Sequence, residues 1–145
     1  PLAWCKTILN NDCEFISLQY TDGAADISAL ESKGYELKQF PVITDSKADY
    51  LETARLVKSC DLVISVCTSV IHLAGALGVP CWVMVPKRAA WRYGVKGPMR
   101  WYRSVRLYRQ PDAEQGGWIP VVQKVGLDLS ELLNARSSER MVANG

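Results

Sequence analysis

The stretch DLVISVCTSVIHLAGALGVPCWVMVP, residues 61–86, decides how this chain folds. Residues 62–66 are a short apolar run rich in β-branched side chains, which predicts a strand buried on both faces. Cys67, Thr68 and Ser69 follow, small polar residues where a helix takes its cap. Gly78 and Pro80 stop that helix, and residues 81–85 resume as a second buried strand. A parallel strand–helix–strand unit leaves unpaired N–H groups at the helix start, beside the carboxyl end of the first strand. That is a seat for a phosphate.

Outward from this unit, strands continue to alternate with helices. Residues 2–9 have helix-like apolar spacing, 15–20 read as a strand, and Asp22–Gly23 as a turn. Residues 25–32 form a short helix ended by Gly34, and 36–42 a strand running into Pro41. Asp45 or Ser46 caps a helix to about Lys58, with Tyr50, Leu51, Ala54 and Val57 facing inward. Beyond the central unit come a basic aromatic loop, a strand over 105–108, and helices over 118–125 and 129–133. Residues 135–145 read as a loose tail. The pattern predicts an α/β, Rossmann-like three-layer domain over residues 1–134, with a mostly parallel sheet and right-handed crossovers.

At 145 residues the chain is long enough for one domain, burying roughly 68–70% of its unfolded surface. A hydrophobic fraction of 48% with 22% charged residues excludes gross disorder. No apolar run reaches the roughly 18 residues that a membrane span needs. The first residue is Pro1 rather than Met, which suggests a piece of something longer. Cys5, Cys13, Cys60, Cys67 and Cys81 are odd in number and include no CxxC pair. They read as reduced thiols of a cytoplasmic protein. With His72 the only histidine, no metal site is expected. Covalent catalysis by Cys67, with His72 five residues on, is a weaker alternative.

Charge is distributed unevenly. Residues 62–111 contain no acid but hold Lys87, Arg88, Arg92, Lys96, Arg100, Arg103, Arg106 and Arg109. A basic half around a phosphate-ready helix suggests an anionic ligand; the plainer reading is a solvated basic face. On the helix, Thr68, His72 and Gly75 or Ala76 share one face, and Val70, Leu73, Ala74 and Leu77 turn inward. His72 lies one turn above the helix start, where its N–H can reach a phosphate oxygen. Alternatively it is tied to a backbone carbonyl, and Thr68 and Ser69 simply cap. Gly75 permits a close approach of helix and sheet. Trp91, Tyr93, Trp101, Tyr102 and Tyr108 interleave with the cations, which suits base stacking with phosphate contact or an amphipathic loop. There is no GxGxxG fingerprint and no Walker loop.

The run VISVCTSVIHLAGALGVPCWVMVP, followed by WRYG and WYRSVRLYRQ, resembles the C-terminal half of heptosyltransferase-family glycosyltransferases. It is most similar to versions that stand behind tetratricopeptide repeats in bacteria. Thr68, His72, Leu73, Ala74, Ala76, Gly78 and Pro80 match the family pattern D-[ST]-x-x-x-H-L-A-x-A-x-G-x-P. The SLQY run at 17–20 also fits, and the resemblance covers about residues 15–125. It implies a GT-B transferase whose C-terminal Rossmann-like domain holds the nucleotide-sugar donor, with Thr68, Ser69 and His72 on the diphosphate. Gln19, Lys87, Trp91 and Arg92 are secondary candidates for contact with that substrate.

Two departures accompany the match. Cys67 stands where the family has an acid, and neither an N-terminal acceptor domain nor the domain's usual first strand is recognisable. The leading expectation is therefore the donor-binding part of a glycosyltransferase, needing no cofactor beyond the nucleoside-diphosphate sugar. No catalytic residue is named, because the acceptor-activating base belongs to the other half. The isolated chain is expected to be inactive and, with an open sheet edge, prone to homodimerise. A non-catalytic module that keeps the fold, or a nucleic-acid binder using residues 87–109, are the alternatives.

Overall fold

The computed structural model describes residues 7–9, 11–19, 23–40, 50–111 and 117–143. The elements are α1 (Ala24–Glu31), α2 (Tyr50–Ser59), β1 (Val63–Val66), α3 (Ser69–Ala76), β2 (Cys81–Val85), β3 (Val105–Arg109) and α4 (Ile119–Ala143). A single 3-10 turn, Trp91–Tyr93, interrupts the loop between β2 and β3. The chain is α/β. Its sheet is three-stranded, parallel, in the order β1-β2-β3.

Alternation along β2 sorts the core into two layers. Cys81, Val83 and Val85 are completely buried and pack with Val57 of α2 and with Ile71 and Ala74 of α3. Trp82 and Met84 point the other way, against Tyr108 of β3 and Val121 and Val125 of α4. Helices thus cover both faces of the sheet, as an all-parallel sheet requires. The α3 end follows the sequence closely. Gly78 is left-handed at φ +69, the Gly78 N–H donates to Gly75 O (3.1 Å), and the Val79 N–H donates to Ala74 O (2.9 Å). This double bond closure is a Schellman motif, and only a residue tolerant of positive φ can complete it.

Several expectations change. The 15–20 and 36–42 strands reduce, among the described residues, to one parallel bridge between Ile16 and Lys38, outside the three-stranded sheet. Too few residues pair there to make a ladder. β1 is an edge strand of that sheet rather than one buried on both faces, and its last residue, Val66, is 46% exposed. Tyr50 and Leu51 of α2 are exposed, while Val57 is buried as expected. On α3 the fully buried pair is Ile71 and Ala74; Val70, Leu73 and Leu77 flank it half-buried. The two C-terminal helices merge into the 25-residue α4. The tail assigned to residues 135–145 is helical as far as Ala143. The turn at Asp22, the caps at Asp45 and Ser46, Cys5 and most of the 2–9 helix lie outside the described residues; residues 7–9 are helical.

Among the described residues, buried polar groups are few. Asp128 of α4 is the buried acid of the described residues, and it accepts from the Tyr108 hydroxyl (2.8 Å), Arg106 (2.7 Å) and Lys124. The Arg106 guanidinium also lies over the rings of Tyr108 and Trp82, at 4.7 and 5.8 Å from their centroids. This network pins α4 to the β2-β3 face of the sheet.

Candidate functional site

Because the three strands are parallel, their carboxyl ends meet on one edge of the domain: Val66 pairs beside Met84, and Val85 beside Arg109. The chain leaves β1 through Cys67 and enters α3 at Thr68. Thr68 is extended (φ −122, ψ 175), as an N-cap should be, but no side chain caps α3. The Thr68 hydroxyl instead shares a hydrogen bond with Ser65 Oγ at 3.1 Å, and its own N–H donates to Val66 O at 2.8 Å. α3 therefore begins at the sheet edge with no side-chain cap on its first turn. Thr68 and Ser69 are both exposed there.

His72, one turn further, is half-buried between two tyrosines. Its ring centroid lies 6.3 Å from that of Tyr93 and 5.8 Å from that of Tyr102, the latter edge-on. This contact decides the role of Gly75: a Cβ there would fall 2.4 Å from Tyr102 Cγ. The close approach is thus made by a tyrosine of the β2-β3 loop, not by the sheet. Tyr93, almost wholly buried, neighbours Cys67, whose thiol leans on Met84 O at 3.9 Å. Burial pushes the Cys67 thiol up, against the opposing pull of Tyr93, Arg92 and Arg109. Burial and the neighbouring Cys67 push the Tyr93 hydroxyl up to about 12. Neither shift runs in the direction that activates a cysteine as a nucleophile.

The loop that carries Tyr93 is held by Arg109 at the end of β3. Its guanidinium donates to Tyr93 O (2.6 Å), Gly94 O (2.9 Å) and Gly97 O (3.1 Å). Next along the chain, the Gln110 side chain accepts from the Lys87 N–H at 3.2 Å, joining the ends of β2 and β3. The Arg92 guanidinium lies over the Tyr93 ring at 5.7 Å. Trp91 and Trp101 meet edge to face at 6.1 Å, 79% and 58% exposed. The Trp101 indole N–H donates to Arg92 O at 3.1 Å.

The sequence-predicted residues fall into two groups. Gln19, Thr68 and Ser69 line one cleft of about 750 Å³ between β1 and the segment 13–19, with Leu129, Leu132 and Leu133 of α4 among its walls. His72, Trp91 and Arg92 lie instead with the β2-β3 loop, joined through Tyr93, and the Lys87 backbone lies at the same edge. Sequence reasoning counted Tyr93, Tyr102 and Arg109 only as members of a basic aromatic run. The signal available was the spacing Trp91-Arg92-Tyr93-Gly94, a tight turn that can place one buried ring. Among the described residues, no group of three or more His, Cys, Asp or Glu can hold a metal ion. No helix described is long and apolar enough to cross a membrane.

Comparison with known proteins finds no matching family model and no matching solved structure. The chain is similar to Protein FlbA of Caulobacter vibrioides (strain ATCC 19089 / CIP 103742 / CB 15), at 35% identity over 118 residues. That match covers 81% of this chain and 19% of FlbA, so the chain spans about a fifth of the length of that relative.

Proposed function

We propose that this chain is the donor-binding part of a sugar-nucleotide-dependent glycosyltransferase of GT-B type, holding a nucleoside diphosphate at the start of α3. One observation carries the reading. The N-terminus of α3 has no side-chain cap, and it opens at the carboxyl edge of a parallel sheet beside two exposed hydroxyls. Such a terminus carries roughly half a positive charge and several unpaired N–H donors, which suits a diphosphate. Residues 62–111 contain no acid, and of Glu14 and Asp61, which line the cleft with Thr68 and Ser69, Asp61 is paired with Arg136.

In this reading the α3 N–H groups, Thr68 and Ser69 receive the diphosphate oxygens, and His72 donates from the loop side. Arg92 adds neutralisation as charge builds on the leaving group. Gln19 approaches from the far wall of the cleft. The acceptor and its activating base come from elsewhere in the full-length protein, so the chain alone transfers no sugar. Holding the two reactants in register can account for roughly 7–11 kcal/mol of a barrier, and one domain cannot supply that.

A thermal-shift screen against UDP, GDP, ADP and their sugars tests the proposal. A nucleotide at about 100 times its dissociation constant adds roughly 2.7 kcal/mol to stability. At least one of them is expected to raise the melting temperature. No response to any would favour a non-catalytic module that keeps the fold.

A further inference from the structure

Two strand edges face one cleft. The Ser17 N–H donates to Lys38 O and the Lys38 N–H to Phe15 O, both at 2.8 Å. Consecutive residues of a strand turn their backbone groups to opposite edges, so the N–H and C=O of Ile16 point away from Lys38. On β1 the Val63 N–H donates to Pro80 O at 2.9 Å. The Ile64 N–H and C=O and the Val66 N–H therefore point to the side away from β2. Among the described residues, none of these groups has a backbone partner. Ile16, Ile64 and Val66 all line the cleft of about 750 Å³ between β1 and the segment 13–19.

Above and below those edges the walls are mainly apolar. Leu18, Val63 and Val70 belong to the layer of α2 and α3, and Ile8, Ile64 and Met84 to the layer of α4. A small apolar ligand lying there leaves the backbone donors and acceptors of Ile16 and Ile64 unmatched, which is costly in such surroundings. A β-strand matches them on both edges and packs both of its faces, as β2 does. Such an occupant is a lone strand rather than the sheet of a second copy. β1, β2 and β3 each have a strand on at least one edge already, whereas the cleft is bounded on two sides. The relative that this chain matches holds most of its length outside the shared stretch, so a protein of this kind has polypeptide to supply the strand.

We propose that this cleft seats one further β-strand of about four to six residues, supplied from elsewhere in a longer polypeptide that contains these 145 residues. It pairs with Ile64 on one side and Ile16 on the other, joining the Ile16–Lys38 bridge to the three-stranded sheet. Covered on both faces, it is a run of apolar, β-branched residues without proline. Thr68 and Ser69 follow the end of β1, and the place of the strand does not depend on what binds there.

Hydrogen exchange, with light scattering for mass, tests the proposal on the 145-residue chain and on the full-length protein. In the chain alone the amides of Ile16, Ile64 and Val66 are expected to exchange quickly. In the full-length protein the same amides are expected to exchange at least tenfold more slowly. A third protein carries the segment Val-Ile-Val-Val-Ile joined to Pro1 by a flexible Gly/Ser linker of about 20 residues, which spans roughly 25 Å. That tethered strand is expected to restore the protection and raise the melting temperature, and a version with proline at its middle position to do neither. Equal exchange in the full-length protein and the chain alone would overturn the proposal. So would slow exchange of these amides in the chain alone: in a dimer it gives the edge to a second copy, and in a monomer to the chain's own residues. Protection by the proline version equal to that by the unbroken strand would overturn the pairing. No nucleotide is present, so failure here leaves the diphosphate reading standing.

Discussion

Gly75 and Tyr102 meet so closely that a Cβ on the glycine would lie 2.4 Å from Tyr102 Cγ. The aromatic loop is therefore seated on α3 through a glycine, and the same ring lies edge-on to His72. Gly75→Ala improves helix propensity by up to about 1 kcal/mol, yet the methyl group overpacks the contact at a cost of about 1–3 kcal/mol. The expected outcome is a net loss of stability in Gly75→Ala, measured by denaturant unfolding. In a Tyr102→Ala background the same substitution is expected to be neutral or stabilising, because the two residues touch and their effects do not add.

Thr68 occupies an N-cap without capping. Losing a capping hydroxyl normally costs about 1 kcal/mol. Since the Thr68 hydroxyl bonds Ser65 rather than an α3 N–H, Thr68→Val is expected to change the melting temperature by far less than a cap deletion. A loss of full cap size in thermal unfolding would show that the hydroxyl serves the helix.

Arg109 binds three carbonyls of one loop with one guanidinium, a fork geometry that lysine cannot copy. Arg109→Lys is expected to cost about 1.5–3 kcal/mol, the range for one charge-assisted hydrogen bond. Hydrogen exchange is expected to rise first over residues 93–97. Uniform exchange across the domain, with no local rise, would contradict the clamp.

Asp128 supplies a pH dependence. Burial pushes its carboxyl up, but hydrogen bonds from Lys124 and Tyr108 and the Arg106 charge outweigh that and hold it below its ordinary 3.8. A depressed carboxylate stabilises the fold above its unfolded value and loses that contribution as pH falls through the lower folded value. Stability is therefore expected to drop below about pH 3.8. Asp128→Asn is expected to be less stable at pH 7, with a shallower drop in acid. An unchanged acid limb in an unfolding series would count against the network.

The central unit was legible because its local signals agree: an apolar run, small polar residues, then Gly78 and Pro80. The positive φ at Gly78 and the two hydrogen bonds after it are what that spacing requires. Strands at 15–20 and 36–42 were less legible. Their apolar spacing fits a strand, but pairing depends on partners distant in sequence, and only the Ile16–Lys38 bridge forms among the described residues. The length of α4 was hidden because Gly126 and a polar run after Leu133 look like breaks; the buried side of its first half keeps it continuous. In the site, helical periodicity set Thr68 and His72 on one face of α3, whereas Thr68 and Ser69 line the cleft and His72 lies against Tyr93 and Tyr102. Tyr93, Tyr102 and Arg109 could not be placed by periodicity, since their roles come from a loop folding back on α3.

Titration calorimetry of nucleoside diphosphates into the wild-type chain, Thr68→Val and His72→Ala tests the central claim most directly. Each charge-assisted hydrogen bond to the diphosphate is worth about 1.5–3 kcal/mol. The account predicts that the wild type binds, that each variant binds at least tenfold more weakly, and that the Thr68→Val melting temperature stays near wild type. Equal affinity in all three proteins would contradict the assignment of the diphosphate to the start of α3.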